Sequence, residues 1–495
     1  MQNVRWSAVL VFFGRSTRLN FEFSEFSSRA AGIIIQSMGR MRYVNQVVLV
    51  VAMSGLFCLS PASATWGPHQ SNSNPLKLSS AVTDPSASRA GEPGKPRLKT
   101  ISTRAQLERA LATALDGDRI SLAPGHYGPL SMRDKRFSKA ITLVSENPKS
   151  PGVFSSIRVM RVQGLNVQNI TVKFVPDQGT IQSDSAVFIK DSSAITLNGS
   201  EIVGGPAVSG MPEDTPAGKL DRTGNVVGRP TARAITVSTS EDVTLSRNEV
   251  SVFHMGVVLD RVSGVTLARN VIRDLRTTPL AGRQVSRVRI EGNHFHSFKP
   301  WKFGGAGDHG DLIHLYTMPG GAPSRSIVIR ANWLDQGVGD PLLGIYLDDN
   351  KLGIGFTDVV VEHNLIRNGN HQGIRLENVQ GVVRNNTLVL PRGGALKGAP
   401  QILAMQGSKI LAVNNILAKI TIYPGATVNE RDNLVVPVKA GMSVYDRVFL
   451  DPSASMPSPK NYSLRKDEGV PGAGADMSLI SDQLLSKSAI PKRAD

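Results

Sequence analysis

The sequence predicts an all-β protein built as a parallel β-helix, and three observations support this fold class. Aromatic residues make up only 5% of the 495 residues, whereas 47 Gly and 29 Pro provide for many turns. A short alternating strand that ends in an Asn turn recurs along the chain, at Asn248, Asn270, Asn293, Asn332, Asn364, Asn386 and Asn415. The spacings of 22, 23, 39, 32, 22 and 29 residues indicate a base period near 22 with insertions, which is typical of a solenoid.

The N-terminal segment, residues 1–64, is expected to lie outside the folded body. Residues 38–64 combine a basic head, an apolar stretch from Val47 to Leu59 and a small-residue cleavage site that ends at Ala64. This order predicts a signal peptide, because the apolar stretch is shorter than the ~20 residues that span a bilayer. Residues 1–37 look like an upstream extension. We therefore expect an exported protein, periplasmic or secreted, with no membrane span after cleavage.

The charge of the chain indicates a polyanionic partner. The formal net charge is +16 and the isoelectric point is near 10.0, and such a protein attracts nucleic acid, anionic membranes or acidic polysaccharides. The single cysteine, Cys58, excludes an intramolecular disulfide framework and a cysteine-based zinc site. Because export makes nucleic acid an unsuitable main partner, we expect an acidic polysaccharide, bound by a monomer.

Composition and periodicity divide the rest of the chain into three parts. Residues 65–99 are rich in Ser, Pro and Asn and are predicted to be a flexible linker. Residues 100–425 form the repeating body. It begins with a helical stripe within Ser102–Leu115 and an alternating strand within Gly117–Gly128, a pair that would cap the open end of the solenoid. Residues 426–495 lose the period and are predicted to form an irregular C-terminal cap or a strip along the solenoid.

The Asn residues of the turns are predicted to be structural. Asn tolerates left-handed backbone conformations and can hydrogen-bond its own main chain. Stacked Asn side chains would also hydrogen-bond from one coil to the next. We therefore assign none of them a catalytic role.

A second strand in each coil presents two outward columns of side chains, because alternate residues of a strand point to opposite faces. Successive rungs lie about 4.8 Å apart. The first column contains Phe188, Thr236, Val258, His314, Tyr346, Arg375 and Leu403, and the second contains Lys190, Ser238, Asp260, Tyr316, Asp348, Glu377 and Met405. Titratable side chains are concentrated in the middle of both columns. The two largest insertions, after Asn293 and Asn332, precede the same rungs, as expected for a saccharide groove walled by loops.

The residue types in the middle of the columns fit proton abstraction at C5 of a uronate. This chemistry needs a cation beside the carboxylate, a base and a proton donor. The cation would be Arg375, or a metal held by Asp348, Glu377 or Asp311. The base would be His314, His309 or Lys351, and Tyr346 suits the donor. Loss of the glycosidic oxygen would make the enzyme a lyase, whereas return of the proton to the other face would make it a C5-epimerase.

The same region offers further candidates. Hydrolysis by two of the carboxylates Asp311, Asp348 and Glu377 is a competing chemistry. The candidates for substrate binding are Tyr316, Trp301, Glu377 and Arg330. Asp311 and Asp348 are the candidate metal ligands, and calcium is the candidate cofactor because Asp348-Asp349-Asn350 is rich in oxygen ligands. His254 and His371 are predicted to pack in turns.

These motifs resemble a family. The segment GDRISLAPGHYG, the Asn turns and the run DHGDLIHLYT…GIYLDD…VVRNNTLV look like exported bacterial right-handed parallel β-helix proteins. That scaffold class includes pectate, alginate and chondroitin lyases and mannuronan C5-epimerases, and the resemblance covers about residues 100–425. It implies a right-handed coil. In those enzymes a Lys/Arg pair, or a His with Tyr and Arg, transfers the proton, often with calcium.

The resemblance implies catalytic roles for His314 or His309, with Tyr346 and Arg375. The sequence GDHGD differs from the DPHD motif that alginate epimerases carry. We therefore expect a polysaccharide lyase that acts on a uronate-containing glycan by β-elimination. The alternatives are a C5-epimerase or glycoside hydrolase on the same class of substrate, and a non-catalytic glycan-binding β-helix protein.

Overall fold

The computed structural model describes residues 5–12, 15–22, 98–177, 179–204, 216–220, 226–228, 230–303, 306–308, 310–393, 396–438, 443–465 and 470–480. Within these ranges, no helix is long and apolar enough to cross a membrane. The chain divides into two units, Met1–Ala87 and Ser88–Asp495. In the first unit, β1 (Arg5–Phe12) and β2 (Arg15–Glu22) pair as an antiparallel hairpin. The predicted signal peptide, residues 38–64, lies outside the described residues.

The second unit is a stack of short strands. It begins with β3 (Leu98–Ile101) and helix α1 (Arg104–Ala112). The next strands are β4 (Arg119–Leu122), β5 (Gly125–Ser145), β6 (Gly152–Gln168), β7 (Thr171–Phe174), β8 (Ser185–Lys190), β9 (Ser193–Asn198), β10 (Glu201–Gly204), β11 (Pro216–Leu220), β12 (Val226–Gly228), β13 (Arg233–Ser238), β14 (Glu241–Ser246), β15 (Glu249–Ser251), β16 (Met255–Ser263), β17 (Thr266–Ala268), β18 (Val271–Leu275), β19 (Leu280–Glu291) and β20 (His294–Phe298).

The C-terminal half of the unit continues in the same way. Its strands are β21 (Lys302–Phe303), β22 (Ala306–Gly307), β23 (Asp311–Tyr316), β24 (Ser324–Arg330), β25 (Trp333–Asp335), β26 (Leu343–Asp348), β27 (Phe356–Glu362), β28 (Leu365–Arg367), β29 (Gln372–Leu376), β30 (Val379–Arg384), β31 (Thr387–Val389), β32 (Gln401–Ala404), β33 (Lys409–Val413), β34 (Ile416–Leu417), β35 (Ile420–Ile422), β36 (Thr427–Arg431) and β37 (Leu434–Val435). Helix α2 (Ser443–Val448) and a 3₁₀ turn at Pro459–Tyr462 follow.

Each coil contributes one strand to each of three parallel sheets. Sheet A contains β8, β13, β16, β19, β23, β26, β29, β32 and β35. Sheet B contains β9, β14, β17, β24, β27, β30, β33 and β36, and sheet C contains β7, β10, β15, β18, β20, β25, β28, β31, β34 and β37. The long strands β5, β6 and β19 bend through corners and join more than one sheet. The predicted all-β parallel β-helix is therefore confirmed.

The core is formed by the inward residues of the strands, as alternation predicts. The inward residues next to the outward columns of sheet A are all buried in one apolar cluster: Val187/Ile189, Ile235/Val237, Val257/Leu259, Ile313/Leu315, Ile345/Leu347 and Ile374/Leu376. Burying each such side chain contributes roughly 1.5–3 kcal/mol relative to leaving it in water. No single coil can bury its own inner face, so stacking of coils provides the stability.

The predicted Asn stack is confirmed. The Nδ2 atom of Asn248 donates to Oδ1 of Asn270, and each following Asn donates in the same way to the next. The ladder continues through Asn293, Asn332, Asn364, Asn386 and Asn415 to Asn433, with donor–acceptor distances of 2.9–3.0 Å. Each Oδ1 also accepts from the backbone N–H one coil earlier, for example from Asn293 to Asn332 at 2.9 Å. The ladder thus fixes the register between coils.

Helix α1 caps the N-terminal end of the solenoid, and the C-terminal residues pack along its side. Thr103 caps helix α1 through a reciprocal pair of 3.2 Å hydrogen bonds with Gln106, and Leu107 and Leu111 face the core. The C-terminal residues pack as a strip against sheet C. Their cluster contains Trp333, Leu365, Val389 and Ile416 from the solenoid, and Tyr445, Phe449, Tyr462, Met477 and Ile480 from the strip.

Candidate active site

The predicted columns lie on sheet A in the predicted register. His314 pairs with Tyr346, Tyr346 with Arg375, and Arg375 with Leu403. Ala281 occupies a further rung of this column, between Val258 and His314. In the second column, Tyr316 pairs with Asp348. Parallel pairing therefore brings side chains from distant turns of the chain onto one outward face.

Three side chains of the first column form a stack. The rings of His314 and Tyr346 are parallel, with centroids 5.0 Å apart and an interplanar angle of 2°. On the other side of Tyr346, the guanidinium carbon of Arg375 lies 4.5 Å from the ring centroid. Such a cation–π contact stabilises the pair by roughly 0.5–2 kcal/mol. We call His314, Tyr346 and Arg375 the sheet A stack.

Two carboxylates flank the imidazole of His314. Its Nδ1 atom lies 3.3 Å from Oδ2 of Asp311, and its Nε2 atom lies 3.6 Å from Oδ2 of Asp348. Asp311 is fully buried at the start of β23, where its backbone N–H donates to Oγ1 of Thr278. Asp311 therefore restricts the orientation of the imidazole from the buried side, and Asp348 lies beside the imidazole on the outer face.

The hydroxyl of Tyr346 is held as a proton donor. It donates to Oε1 of Glu377 at 3.0 Å, and the same carboxylate accepts from Arg375. Nη1 of Arg375 also donates to Gln372 at 3.0 Å. Burial, with the nearby carboxylates of Asp348 and Glu377, raises the pKa of Tyr346 well above its usual value. The phenol therefore remains protonated at neutral pH.

Asp348 carries negative charge in this cluster. Burial by itself would raise its pKa, but the nearby imidazole of His314 and a hydrogen bond from the backbone N–H of Asn350 outweigh burial and lower the pKa. The Asn350 hydrogen bond to Oδ1 is 2.7 Å long. The cluster thus contains an anion beside the imidazole and a protonated phenol on the next rung.

The oxygen-rich run Asp348-Asp349-Asn350 forms a hydrogen-bonded turn. The buried carboxylate of Asp349 accepts from the backbone N–H groups of residues 353, 354 and 355, at 2.8, 3.1 and 2.6 Å. Nδ2 of Asn378 donates to the same carboxylate at 3.1 Å. Across the described ranges, no group of three His, Cys, Asp or Glu side chains is arranged to hold a metal ion. The carboxylate of Asp349 organises the loop after β26.

The other predicted site residues are distributed unevenly. The ring of Tyr316 lies 5.1 Å from that of His314 and is half-buried beside the stack. Lys351 is exposed in the turn after β26. Arg330 does not belong to this site, because it ends β24 in sheet B and pairs with Glu362 at 3.4 Å. His309 lies outside the described residues.

Trp301 belongs to a buried cluster that anchors the loop before β23. Its ring lies 4.2 Å from the guanidinium carbon of Arg276, and it is only 7% exposed. Arg276 is fully buried and binds Asp308 through two hydrogen bonds of 2.5 and 2.7 Å. Nε2 of His254 lies 3.5 Å from the same carboxylate. Trp301 therefore packs within the loop and not on the open face of the groove.

Sequence reasoning did not identify this loop anchor. Asp308 was visible only as part of GDHGD, and His254 was predicted to pack in a turn. Arg276 gave no signal, because it stands in a connection between two strands without any motif. The three residues come from the loops before β16, β19 and β23, which lie side by side only when the coils stack.

A match to one protein family supports the fold. The family described as "Right handed beta helix region" matches residues 233–417. No curated protein matches the chain. Among solved structures, the chain is similar to PfbA, a surface adhesin of Streptococcus pneumoniae, at 12% identity over 67% of this chain and 87% of that chain, with a TM-score of 0.38.

Two further similar structures are enzymes. One is a PL6 alginate lyase in complex with a trisaccharide, at 14% identity over 78% of this chain and 94% of that chain, with a TM-score of 0.39. The other is the polygalacturonase of Erwinia carotovora ssp. carotovora, at 14% identity over 70% of this chain and 99% of that chain, with a TM-score of 0.32. The parallel sheets and the matched region together show that this chain is a right-handed parallel β-helix protein.

Proposed function

We propose that the protein is a polysaccharide lyase that cleaves an acidic, uronate-containing polysaccharide by β-elimination on sheet A. The observation that supports this most directly is the sheet A stack, which presents an imidazole, a protonated phenol and a guanidinium on three consecutive rungs. These are the base, the acid and the cation that the reaction needs. They stand on rigid strands, which hold them at a fixed separation.

His314 is the proposed base. In the free protein, Nδ1 of His314 lies beside Asp311 and Nε2 is buried next to Oδ2 of Asp348. A neutral imidazole would take the C5 proton of the uronate through Nε2 once the substrate displaces the carboxylate of Asp348. The electron pair of the C5–H bond would then form the C4–C5 double bond. Asp311 would stabilise the imidazolium that results, since a nearby anion favours the charged form of the ring.

Tyr346 is the proposed acid. As the C4–O4 bond breaks, the leaving glycosidic oxygen would take the phenolic proton, which in the free protein is donated to Glu377. One proton leaves carbon and one arrives at oxygen, so no further reactant is required. The phenol is protonated when the substrate arrives, as a general acid must be.

Arg375 is the proposed cation beside the substrate carboxylate. Its guanidinium is about a quarter exposed and already forms hydrogen bonds with Glu377 and Gln372. A fixed guanidinium next to the carboxylate stabilises the charge that develops when C5 loses its proton. Lys351 is exposed in the turn that follows β26, the strand of Tyr346, and would add positive charge at the edge of the groove.

The geometry favours elimination over hydrolysis by two carboxylates. Asp311 is fully buried and faces His314, so it cannot reach a glycosidic oxygen in the groove. Asp348 lies beside the imidazole of His314, and Glu377 accepts from Tyr346 and Arg375, so both carboxylates are engaged within the cluster. A C5-epimerase would use the same base, with Tyr346 returning a proton to the opposite face of the ring, and it stays the second candidate.

The test is an assay for unsaturated uronate. The exported chain would be incubated with alginate, polygalacturonate, glucuronan and hyaluronan, with and without a calcium chelator, and ultraviolet absorbance would be followed. A rise that His314→Ala abolishes supports the lyase and identifies the glycan. Solvent-proton exchange at C5 without cleavage would support the epimerase, and new reducing ends without absorbance would support a hydrolase. Binding without any reaction would overturn all three.

A further inference from the structure

An open groove runs along the corner between sheet A and sheet B, on the coils that precede the sheet A stack. Its volume is about 640 Å³, within the range of roughly 300–1,000 Å³ that is usual for ligand sites. We call it the corner groove, and sequence reasoning gave it no role. The residues that line it include Asp191, Ser193, Glu241, Arg261, Ser263 and Gln284.

Four polar residues stand in register along the corner groove. Ser193 pairs with Glu241, and Glu241 pairs with Ser263. Ser263 pairs in turn with Ser286. Because paired strands lie about 4.8 Å apart, the groove presents one polar side chain per rung at this spacing. The interval is close to the length of one pyranose unit in an extended glycan chain.

Several of these polar groups are available to a ligand. Glu241 is exposed and Ser193 is half-exposed, and neither side chain forms a hydrogen bond or ion pair within the part of the chain that the structure describes. The hydroxyl of Ser263 accepts from Ser286 at 2.9 Å and from Nε of Arg287 at 3.0 Å, which leaves its own proton to donate. The column thus offers an acceptor and donors, and sugar hydroxyl groups need both.

The floor of the corner groove is held by a second set of hydroxyls. The buried side chains of Ser192 and Ser240 donate to the backbone carbonyls of Lys190 and Ser238, each at 2.7 Å. Each hydroxyl also accepts from the backbone N–H one coil earlier, at 3.1 Å. A surface fixed in this way keeps its shape without a ligand.

The corner groove ends one coil before the sheet A stack. Gln284 lines this end and belongs to β19, which pairs with β23, the strand of His314. The loop after β23 packs so closely on Gln284 that a Cβ atom at Gly321 would lie 1.8 Å from its Nε2 atom. The groove and the stack are therefore neighbouring but separate sites.

The charges of the corner groove differ from those of the whole chain. Two carboxylates, Asp191 and Glu241, line it beside one guanidinium, Arg261, although the formal net charge of the chain is +16. Arg261 is already paired with Asp260 at 3.1 Å, and Nζ of Lys190 lies 3.9 Å from Asp191. A uronate chain would meet two carboxylates here, whereas the hydroxyl groups of a neutral sugar can donate to them.

We propose that the corner groove is a second carbohydrate-binding site, which binds a run of neutral sugar units along the axis of the solenoid. Glu241 accepts hydrogen bonds from sugar hydroxyl groups, and Ser193 and Ser263 bind the units on the rungs to either side. The inference goes beyond the proposed lyase and does not depend on it, because no residue of the sheet A stack takes part.

The test is calorimetry with neutral hexasaccharides of β-1,4-linked glucose, mannose and galactose, and with the matching disaccharides. We expect at least one hexasaccharide to bind, and to bind more tightly than its disaccharide, because it spans several rungs. Glu241→Ala should weaken this binding roughly tenfold or more, since it removes a charged acceptor. Failure of all three hexasaccharides to bind the wild type would overturn the proposal.

The matched control is Asp242→Ala. Asp242 is the neighbouring carboxylate and is also exposed, but it does not line the corner groove. Asp242→Ala should bind the hexasaccharide as the wild type does. If Glu241→Ala also binds with wild-type affinity, the column does not contact the sugar and the proposal is wrong.

Two further variants locate the ligand. Ser263→Tyr places a ring in the middle of the corner groove and should abolish binding of the neutral hexasaccharide, with thermal unfolding as the check on the fold. His314→Ala, in the stack, should retain that binding. Loss of binding in His314→Ala with retention in Ser263→Tyr would place the ligand on the stack and refute the proposal.

The two proposals fail in different ways. If the protein binds a neutral hexasaccharide but forms no unsaturated product from any uronate, the lyase is refuted and the corner groove stands. If it forms the product but binds none of the neutral hexasaccharides, the corner groove is refuted and the lyase stands.

Discussion

The imidazole of His314 and the phenol of Tyr346 are parallel, with their centroids 5.0 Å apart and their planes within 2°. This separation matches the spacing of neighbouring parallel strands, about 4.8 Å, so the sheet itself sets the distance between the proposed base and acid. A site of this kind needs no loop closure to bring its two groups together. It would therefore show little change in geometry between the free and the bound protein.

Replacing Tyr346 with Phe tests the proposed acid. Phe preserves the stack with His314 and Arg375 but removes the hydroxyl that donates to Glu377. We expect the rate of unsaturated-uronate formation to fall by roughly 10²–10⁴-fold, the usual contribution of a positioned acid. Tyr423→Phe, which changes an exposed tyrosine outside the cluster, is the control. Full activity in Tyr346→Phe would show that another group protonates the leaving oxygen.

Replacing Asp308 with Asn tests the loop anchor. The variant leaves Arg276 buried without a counter-charge, and breaking such a pair costs roughly 3–5 kcal/mol of unfolding free energy. Urea unfolding measures this loss. Emission from Trp301, obtained as the difference from Trp301→Phe, should also shift to longer wavelength as the loop opens.

The control for the loop anchor is Asp242→Asn. Asp242 is exposed, and its pair with Arg287 spans 3.7 Å, so its removal should cost no more than about 1 kcal/mol. Similar losses in Asp308→Asn and Asp242→Asn would mean that the Arg276–Asp308 pair does not anchor the loop.

The Asn ladder predicts a position-dependent loss of stability. Asn332→Ala removes the acceptor for Asn293 and the donor to Asn364, all within a fully buried column. Each group left unsatisfied costs roughly 1–3 kcal/mol. Asn433→Ala, at the half-buried end of the ladder, should cost less, because water can replace the lost partner. Chemical denaturation of the two variants measures the difference, and equal losses would argue against a cooperative ladder.

The stability of the protein should fall with acid through His294. The ring is buried between Trp333 and His296, and burial holds its pKa well below the ordinary 6.5. Below pH 6.5, His294 becomes protonated in the unfolded chain but stays neutral in the folded chain. The folded state is therefore at its most stable, with respect to this group, above pH 6.5, and it loses stability as the pH falls below that value.

The variant that tests this is His294→Phe, which keeps a ring in the stack. Thermal unfolding between about pH 7.5 and pH 5 should depend less on pH in the variant than in the wild type. His371→Phe, at an exposed histidine, should retain the wild-type slope. If the slopes of all three proteins agree, His294 does not control the acid response.

Much of the architecture could be predicted because it depends on local periodicity. Alternation along LIHLYT and GIYLDD placed His314 and Tyr346 outward and their neighbours Ile313 and Ile345 inward. Recurrence of the Asn turns predicted the ladder, since every coil repeats the same turn at the same corner. From the strand alignment alone, His314, Tyr346 and Arg375 were expected on one face.

The partners of individual polar side chains were not predictable from the sequence. Arg330 has the same sequence context as a groove residue, yet it lies in sheet B, because it belongs to the strand before the Asn turn and not to the strand after the insertion. Asp349 resembles a calcium ligand in sequence, but its carboxylate is occupied by three backbone N–H groups of its own turn.

The sequence by itself determined the β-helix, the inward and outward faces of its strands and the residues of the sheet A stack. Only the tertiary structure showed that Arg276 and Asp308 form a buried pair and that Trp301 packs within the loop. The physical reason is the distance along the sequence over which each interaction acts. Strand alternation and Asn turns act over a few residues and repeat, whereas ion pairing between loops depends on the three-dimensional stacking of coils and on the burial that it creates.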